Sequence, residues 1–245
     1  MKFFDANIQL GRRCLPKSGE PVTTEEILGI LSRCQIEKAI AYHAIAKEGG
    51  MWDGNGEILK ITGETTPFLP QWCAMPSTFG EFLSVDDLFA GMKRHHVTSL
   101  RLLPKTCNYS LRPYALQKLM DAAADCHVPV FLNAPEELSP EDTYALCRNY
   151  PQVNFVFCGL TAEDNRMILP IMEQCANFYL ATGVYGDLTT LCKQLGTERL
   201  VFASGLPFGN ADAAISQILT APISEDEKAQ IAHGNLERLL ADVTF

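Results

Sequence analysis

The stretch Phe3-Phe4-Asp5-Ala6-Asn7-Ile8-Gln9-Leu10-Gly11-Arg12-Arg13 decides how the rest of the chain is read. Asp5, Asn7 and Gln9 alternate with Phe4, Ala6, Ile8 and Leu10. Successive side chains of a strand point to opposite faces, so the three polar residues are expected to share one. On a surface strand that face meets solvent. On the first strand of a closed barrel it lines the lumen and its mouth.

Seven further short apolar runs follow, at 38–43, 68–75, 99–103, 128–133, 154–158, 178–182 and 200–204. Helical patterns stand between them. Thr23 with Glu25 and Glu26 starts one, and Ser139-Pro140-Glu141-Asp142 starts another with a cap, a first-turn proline and acids at the positive end of the helix dipole. Gly49, Gly50, Gly54 and Gly56 read as a loop before a helix around Ile58. Ser224 and Glu227 form a capping box with Ile223 as its staple, and Gly234-Asn235 interrupts the helix that follows. Alternating β and α units imply a parallel sheet, and eight units close into a (β/α)8 barrel. The rival, a doubly wound open sheet, lacks support because no G-x-G-x-x-G follows a strand. No linker divides the chain, so one domain over 1–245 is expected.

Composition excludes several partners. With 47% hydrophobic and 20% charged residues the balance is that of a globular chain rather than a disordered one. A net charge of -9 opposes binding to nucleic acid or anionic membrane. No apolar run reaches the roughly 18 residues of a membrane span, and the N-terminus has no apolar signal core. The nine cysteines are scattered singly and odd in number, against a disulfide or zinc framework and in keeping with a reducing cytoplasm.

Active sites of such barrels lie at the carboxyl ends of the strands. That edge collects Asn7, Gln9, His43, Gln71, Trp72, Arg101, Lys105, Asn133, Cys158, Thr182, Tyr185 and Ser204, with Arg12 and Arg13 just beyond the first strand. Glu136 and Asp187 lie close by in loops. The set is amide-rich and cationic, a poor collection of metal donors.

These residues give the whole chain a resemblance to the amidohydrolase-related branch of the amidohydrolase superfamily. The family's first strand, D-x-H-x-H-x-G, is matched in frame by Asp5 to Gly11. Its fifth strand, with a P-V lead and a terminal His, is matched by Pro129 to Asn133. The sixth has Tyr150-Pro151 leading to Cys158-Gly159, and the last strand, ending F-G-S-D-x-P-F, is matched by Phe202 to Phe208. The closing I-x-x-x-N-x-x-R-L-L pattern is met by Ile231, Asn235, Arg238, Leu239 and Leu240. A subgroup with a G-R-R start and a Y-H-x-x-A second strand is resembled by Gly11-Arg12-Arg13 and Tyr42 to Ala46. Where the family places metal ligands this chain has Asn7, Gln9, Asn133, Gly159 and Gly205. The resemblance therefore implies the family's barrel without its metal-bound hydroxide, and neither metal nor other cofactor is expected.

The residues allow sharp and plain readings side by side. Asn7, Gln9 and Asn133 can orient a ligand carbonyl, or they can bond each other and water. His43 can act as a general base or rest on a loop carbonyl. Arg12, Arg13, Arg101 and Lys105 can hold a carboxylate or phosphate, and Arg101 shares strand parity with Lys105; the plain reading of Arg101 is an ion pair with Asp5 or Glu136. Cys158 reads as a buried thiol rather than a nucleophile. Trp72 and Tyr185 can wall a pocket or cover the core, and Ser204 lacks a G-x-S-x-G turn. The leading function is a metal-independent hydrolase acting on a small anionic molecule, a lactone or carboxylated ring. A catalytically inactive binding barrel and a lyase are the alternatives, and assembly into a homo-oligomer stays open.

Overall fold

The computed structural model describes residues 1–184 and 188–245. Among them nine strand segments form the inner wall. They are β1 (Phe3–Leu10), β2 (Ile36–His43), β3 (Phe68–Pro70), β4 (Trp72–Ala74), β5 (Leu100–Leu102), β6 (Val130–Asn133), β7 (Phe155–Cys158), β8 (Phe178–Ala181) and β9 (Leu200–Val201). Every pairing is parallel, in the orders β1-β2-β3 and β4 through β9. Gln71 alone separates β3 from β4. Its N–H donates to Ala41 O at 2.8 Å while the N–H of Trp72 donates to Ser99 O at 3.3 Å, so this arm changes partner at one residue. The ring continues from the last arm to β1 through Ala6 N–H to Phe202 O and Gln9 N–H to Leu206 O, both 2.9 Å. The result is the (β/α)8 barrel expected from the sequence.

The helices that matter for the site are α1 (Thr24–Arg33), α2 (Ile45–Glu48), α3 (Met51–Ile61), α4 (Val85–His95), α5 (Pro113–Asp125) and α6 (Ala134–Glu137). Thr23 caps α1 in a full capping box with Glu26. Gly54 and Gly56, read as loop, lie inside α3, whose buried face is Met51, Gly54, Asn55 and Ile58. That spacing is helical, and burial outweighs the low helix propensity of glycine. Ser224 starts the last helical segment with Glu227 as expected. Gly234-Asn235 does not end it, because a π turn at Gln230–Gly234 carries the chain on. Asn235 then donates to Thr197 O at 2.6 Å and Leu200 O at 2.8 Å. No helix among the described residues is long and apolar enough to cross a membrane.

Phe4, Ala6, Ile40, Phe131, Val156 and Val201 pack in the lumen with Leu236 and Leu239. Ile8, Leu10, Val130, Leu132, Phe155 and Phe157 pack outward against Leu116, Leu119 and the other helical residues. Each such side chain stabilises the fold by about 1.5–3 kcal/mol when fully buried, so a one-residue slip of register is heavily disfavoured.

One expectation fails here. Asp5 pairs with Ala39 and Ile8 with Ala41, so β1 spends one residue more than β2 over the same span. This β-bulge inverts the parity of the strand. Phe4 and Ala6 face the lumen before it, Asn7 and Gln9 after it. Asp5 does not share their face. It is wholly buried, and its Oδ1 accepts the N–H groups of Asn7 and Ser204, both at 3.0 Å, joining β1 to the last arm.

Burial pushes the Asp5 carboxyl up from 3.8 to about 6, against the pull of Ser204 and Asn7. Between those values the folded chain binds more protons than the unfolded one, so this residue's contribution to stability falls as pH rises through the window. The loss by neutral pH amounts to about 3 kcal/mol. Urea unfolding at pH 4 and pH 7 is expected to show wild type losing about 2 kcal/mol of this relative to Asp5→Asn, the unfolded carboxyl being already partly ionised at pH 4; parallel pH curves for the two proteins would contradict it.

Candidate active site

The floor of the barrel mouth is organised by Arg101 of β5, 1% exposed. Its Nε donates to Gln71 Oε1 at 2.6 Å and its Nη2 to Asn7 Oδ1 at 2.7 Å. Gln71 is fixed in turn, its Nε2 donating to Ser99 Oγ at 3.2 Å. The guanidinium carbon lies 4.3 Å from the centroid of the Tyr42 ring, a cation–π contact. The Tyr42 hydroxyl donates to Gln9 Oε1 at 2.8 Å, as the cross-strand register of Gln9 with Tyr42 allows. Gln9 Nε2 is buried without a hydrogen-bond partner. Among the described residues Arg101 forms no ion pair. Neutral amides and a π face thus hold a desolvated cation, and no carboxylate among the described residues is in direct contact with it.

Above this floor is a cavity of about 310 Å³. Asn133 and Glu136 form one wall, with Asn133 Nδ2 donating to Glu136 Oε2 at 2.8 Å and Lys47 of α2 paired with Glu136 Oε1. Burial works against ionisation of Glu136. The Lys47 ammonium, Asn133 and the Arg101 charge outweigh it and hold the carboxyl below its ordinary value. On the opposite side Arg13 is clamped by Glu20 at 2.7 and 2.8 Å and covers the Phe208 ring at 4.7 Å. Glu48, another lining residue, accepts the N–H of Cys14 at 2.6 Å.

Of the residues picked from sequence, Asn7, Gln9, Arg13, Arg101 and Asn133 line this one cavity. Arg12 does not; it is exposed. Lys105 is also elsewhere. The strand stops at Leu102, so the parity that linked Lys105 to Arg101 no longer applies. Lys105 lines a neighbouring cleft, its N–H donating to Glu137 at 2.9 Å. His43 is off the cavity. Its ring lies over Gly11, where φ is +82° and a Cβ would fall 2.2 Å from His43 Nε2. Its Nδ1 accepts the N–H of Ile45 at 3.3 Å, and burial lowers its pKa against a weaker opposing pull from Glu57. The plain reading expected a loop carbonyl as partner; the partner is the Ile45 N–H, to which the ring is an acceptor.

Cys158 is buried beside Arg101, and burial raises its thiol pKa. Trp72 packs outward against Trp52 and His95, leaving the mouth open. Ser204 is buried, its Oγ accepting the N–H of Leu206 at 3.2 Å. Tyr185 and Asp187 lie outside the described residues. Sequence reasoning missed Tyr42, Lys47 and Phe208. Tyr42 was the findable one, because the inner parity of Ile40 selects it over His43, but the run 38–43 has too little alternation to fix parity alone.

The positions matched to the family's metal ligands have a definite local chemistry. Asn7 and Gln9 offer amide oxygens already engaged by Arg101 and Tyr42. Gly159 has φ +80°, and a Cβ there would fall 2.1 Å from Asn133 Oδ1, so Asn133 occupies the space a side chain would need. Among the described residues no three His, Cys, Asp or Glu side chains cluster as metal donors.

A family model described as Amidohydrolase matches residues 68–241, and the chain belongs to that family. No curated protein sequence matches it. Among solved structures, an uncharacterised TIM-barrel protein from Bordetella bronchiseptica is 16% identical over 99% of both chains, with a TM-score of 0.76. The 5-carboxyvanillate decarboxylase of Sphingomonas paucimobilis is 13% identical over 99% of both, TM-score 0.74. A dihydroxybenzoic acid decarboxylase from Polaromonas, solved with bound manganese and 2-nitroresorcinol, is 14% identical over 98% of this chain and 97% of its own, TM-score 0.72. At these identities the likeness establishes the shared barrel fold.

Replacing Lys47 by Met removes the first of the groups that offset burial of Glu136. The Glu136 titration, followed by carboxyl-carbon NMR, is expected to move upward in Lys47→Met; an unmoved titration would mean the ion pair does not form in solution.

Proposed function

We propose that this chain is a metal-independent hydrolase of the amidohydrolase family acting on a small organic carboxylate, a lactone or a carboxylated ring. One observation carries the reading: Arg101 is a buried cation on the floor of a small cavity, with no acid in ion-pair contact among the described residues. A charge removed from water is costly unless paired, so the site is built to receive an anion, and a guanidinium matches a carboxylate in a two-point contact. The cavity of about 310 Å³ sits at the lower end of ordinary ligand pockets and limits the substrate to a small molecule. Asn7, Gln9 and Asn133 surround the anion position with amide groups that can orient a carbonyl.

The donor set does not suit a divalent metal. The oxygens of Asn7, Gln9 and Asn133 belong to neutral amides, the carboxylates of Glu48 and Glu136 are engaged by the Cys14 N–H and by Lys47 and Asn133, and the Arg101 guanidinium lies 2.7 Å from Asn7 Oδ1 and would repel the ion. No step here is routed through a metal. Arg12, Lys105 and His43 have no part in this reading, because they stand away from the cavity.

A second reading is favoured by the decarboxylases among the structural relatives, whose substrates are by name carboxylated rings. Decarboxylation would use the same contact with Arg101 and differ in its product, carbon dioxide in place of a ring-opened acid.

Thermal-shift titration with small lactone and hydroxybenzoate carboxylates is expected to stabilise wild type and leave Arg101→Leu unmoved, with affinity lower by a hundredfold or more, as loss of a charge-assisted contact implies. A response that survives the substitution sinks the anion site. Turnover is expected to be unchanged after exhaustive chelation, and elemental analysis that finds one tightly held equivalent of zinc or manganese would rule out metal independence.

A further inference from the structure

We infer that Glu136 is the proton-accepting residue of this site, with Lys47 and Asn133 as its positioning residues, and that the cleft beside the mouth supplies its water. The inference rests on the hydrolytic reading above and adds the group that reading lacks. Two carboxylates line the mouth cavity, Glu48 and Glu136. Glu48 is committed to the backbone of the loop at Cys14. Among the described residues Glu136 is held only by side chains that themselves line the cavity, one on each oxygen: Lys47 on Oε1 and Asn133 on Oε2. A carboxylate oxygen has two lone pairs, so each retains an acceptor site for water.

The placement of Glu136 is what distinguishes it. It sits on the short helix α6 and lines both the mouth cavity and a neighbouring cleft of about 570 Å³ that holds Lys105, Tyr109 and Arg112. A substrate filling the mouth excludes water from it, which a hydrolase cannot tolerate unless water arrives from another side. The wall formed by Glu136 meets that requirement. The charged groups around it are Lys47, Arg101, Arg13, Lys17 and Glu48 on the mouth side, with Lys105, Arg112, Glu137 and Asp142 around the cleft.

The chemistry balances without a co-reactant. Glu136 takes a proton from water as the water oxygen bonds to the lactone carbonyl carbon. The ring C–O bond then breaks, and the proton passes to the leaving alkoxide oxygen, giving a hydroxy acid. Lys47 and Arg101 keep Glu136 ionised before attack, while Arg101 holds the substrate carboxylate.

The test uses 5-oxotetrahydrofuran-2-carboxylate, with binding followed by calorimetry and ring opening by NMR. Glu136→Gln is expected to bind it as wild type does and to open it at least a hundredfold more slowly. Lys47→Met is expected to move the acid limb of the rate profile to higher pH with binding retained, which a structural role for the pair would not do. A wild-type rate in Glu136→Gln, or an unmoved acid limb in Lys47→Met, overturns the inference. If wild type binds the probe without opening it, the proton role and hydrolysis fall together while the carboxylate site stands. If wild type does not bind it, the anion site itself is wrong.

Discussion

A guanidinium buried in a barrel with no carboxylate in contact among the described residues sets the terms for everything around it. Arg101 is stabilised piecemeal, by the amide oxygens of Gln71 and Asn7 and by the face of Tyr42. Those contacts come from β1, β2 and the Gln71 junction, so three arms of the ring converge on a cation carried by a fourth. None of them brings a negative charge. The floor is therefore rigid and positive before any ligand arrives, the preorganised state in which an electrostatic site works best.

That convergence depends on a small irregularity of the backbone. Without the extra residue between Asp5 and Ile8, Asn7 would follow Asp5 onto the outward parity and Arg101 would lose one of its two amide partners. The same bulge frees Asp5 to accept the Ser204 N–H and tie the first arm to the last. Gln71 plays a comparable double part: its backbone is the point where the third arm changes partners, and its side chain fixes Arg101. The site and the closure of the ring share their residues.

The architecture was legible because it rests on alternating apolar runs and helix caps, local signals that survive in a single sequence. Thr23, Ser139 and Ser224 all cap helices as read. The amides and Arg101 were legible as strand-end residues. What misled was parity. Asp5 was placed with Asn7 and Gln9 because a bulge leaves no mark in an alternating pattern, and Lys105 was placed with Arg101 because nothing in the run showed where the strand stops. His43 drew attention as the titratable group at the end of a strand, yet its neighbour Tyr42 turns inward. Lys47 and Phe208 sit on segments whose path over the mouth is set by tertiary packing, and no local rule gives it.

Gly159 limits how the site can change. Its backbone is left-handed, and the room a side chain would claim is already filled by the Asn133 amide. A larger residue at that position would need a change of backbone conformation and a shift of the Asn133 amide at the same time. Single substitutions therefore lead downhill in stability before they lead anywhere else. Change at this strand end is therefore coupled to the Asn133 amide, and through it to the Glu136 carboxylate that the amide holds.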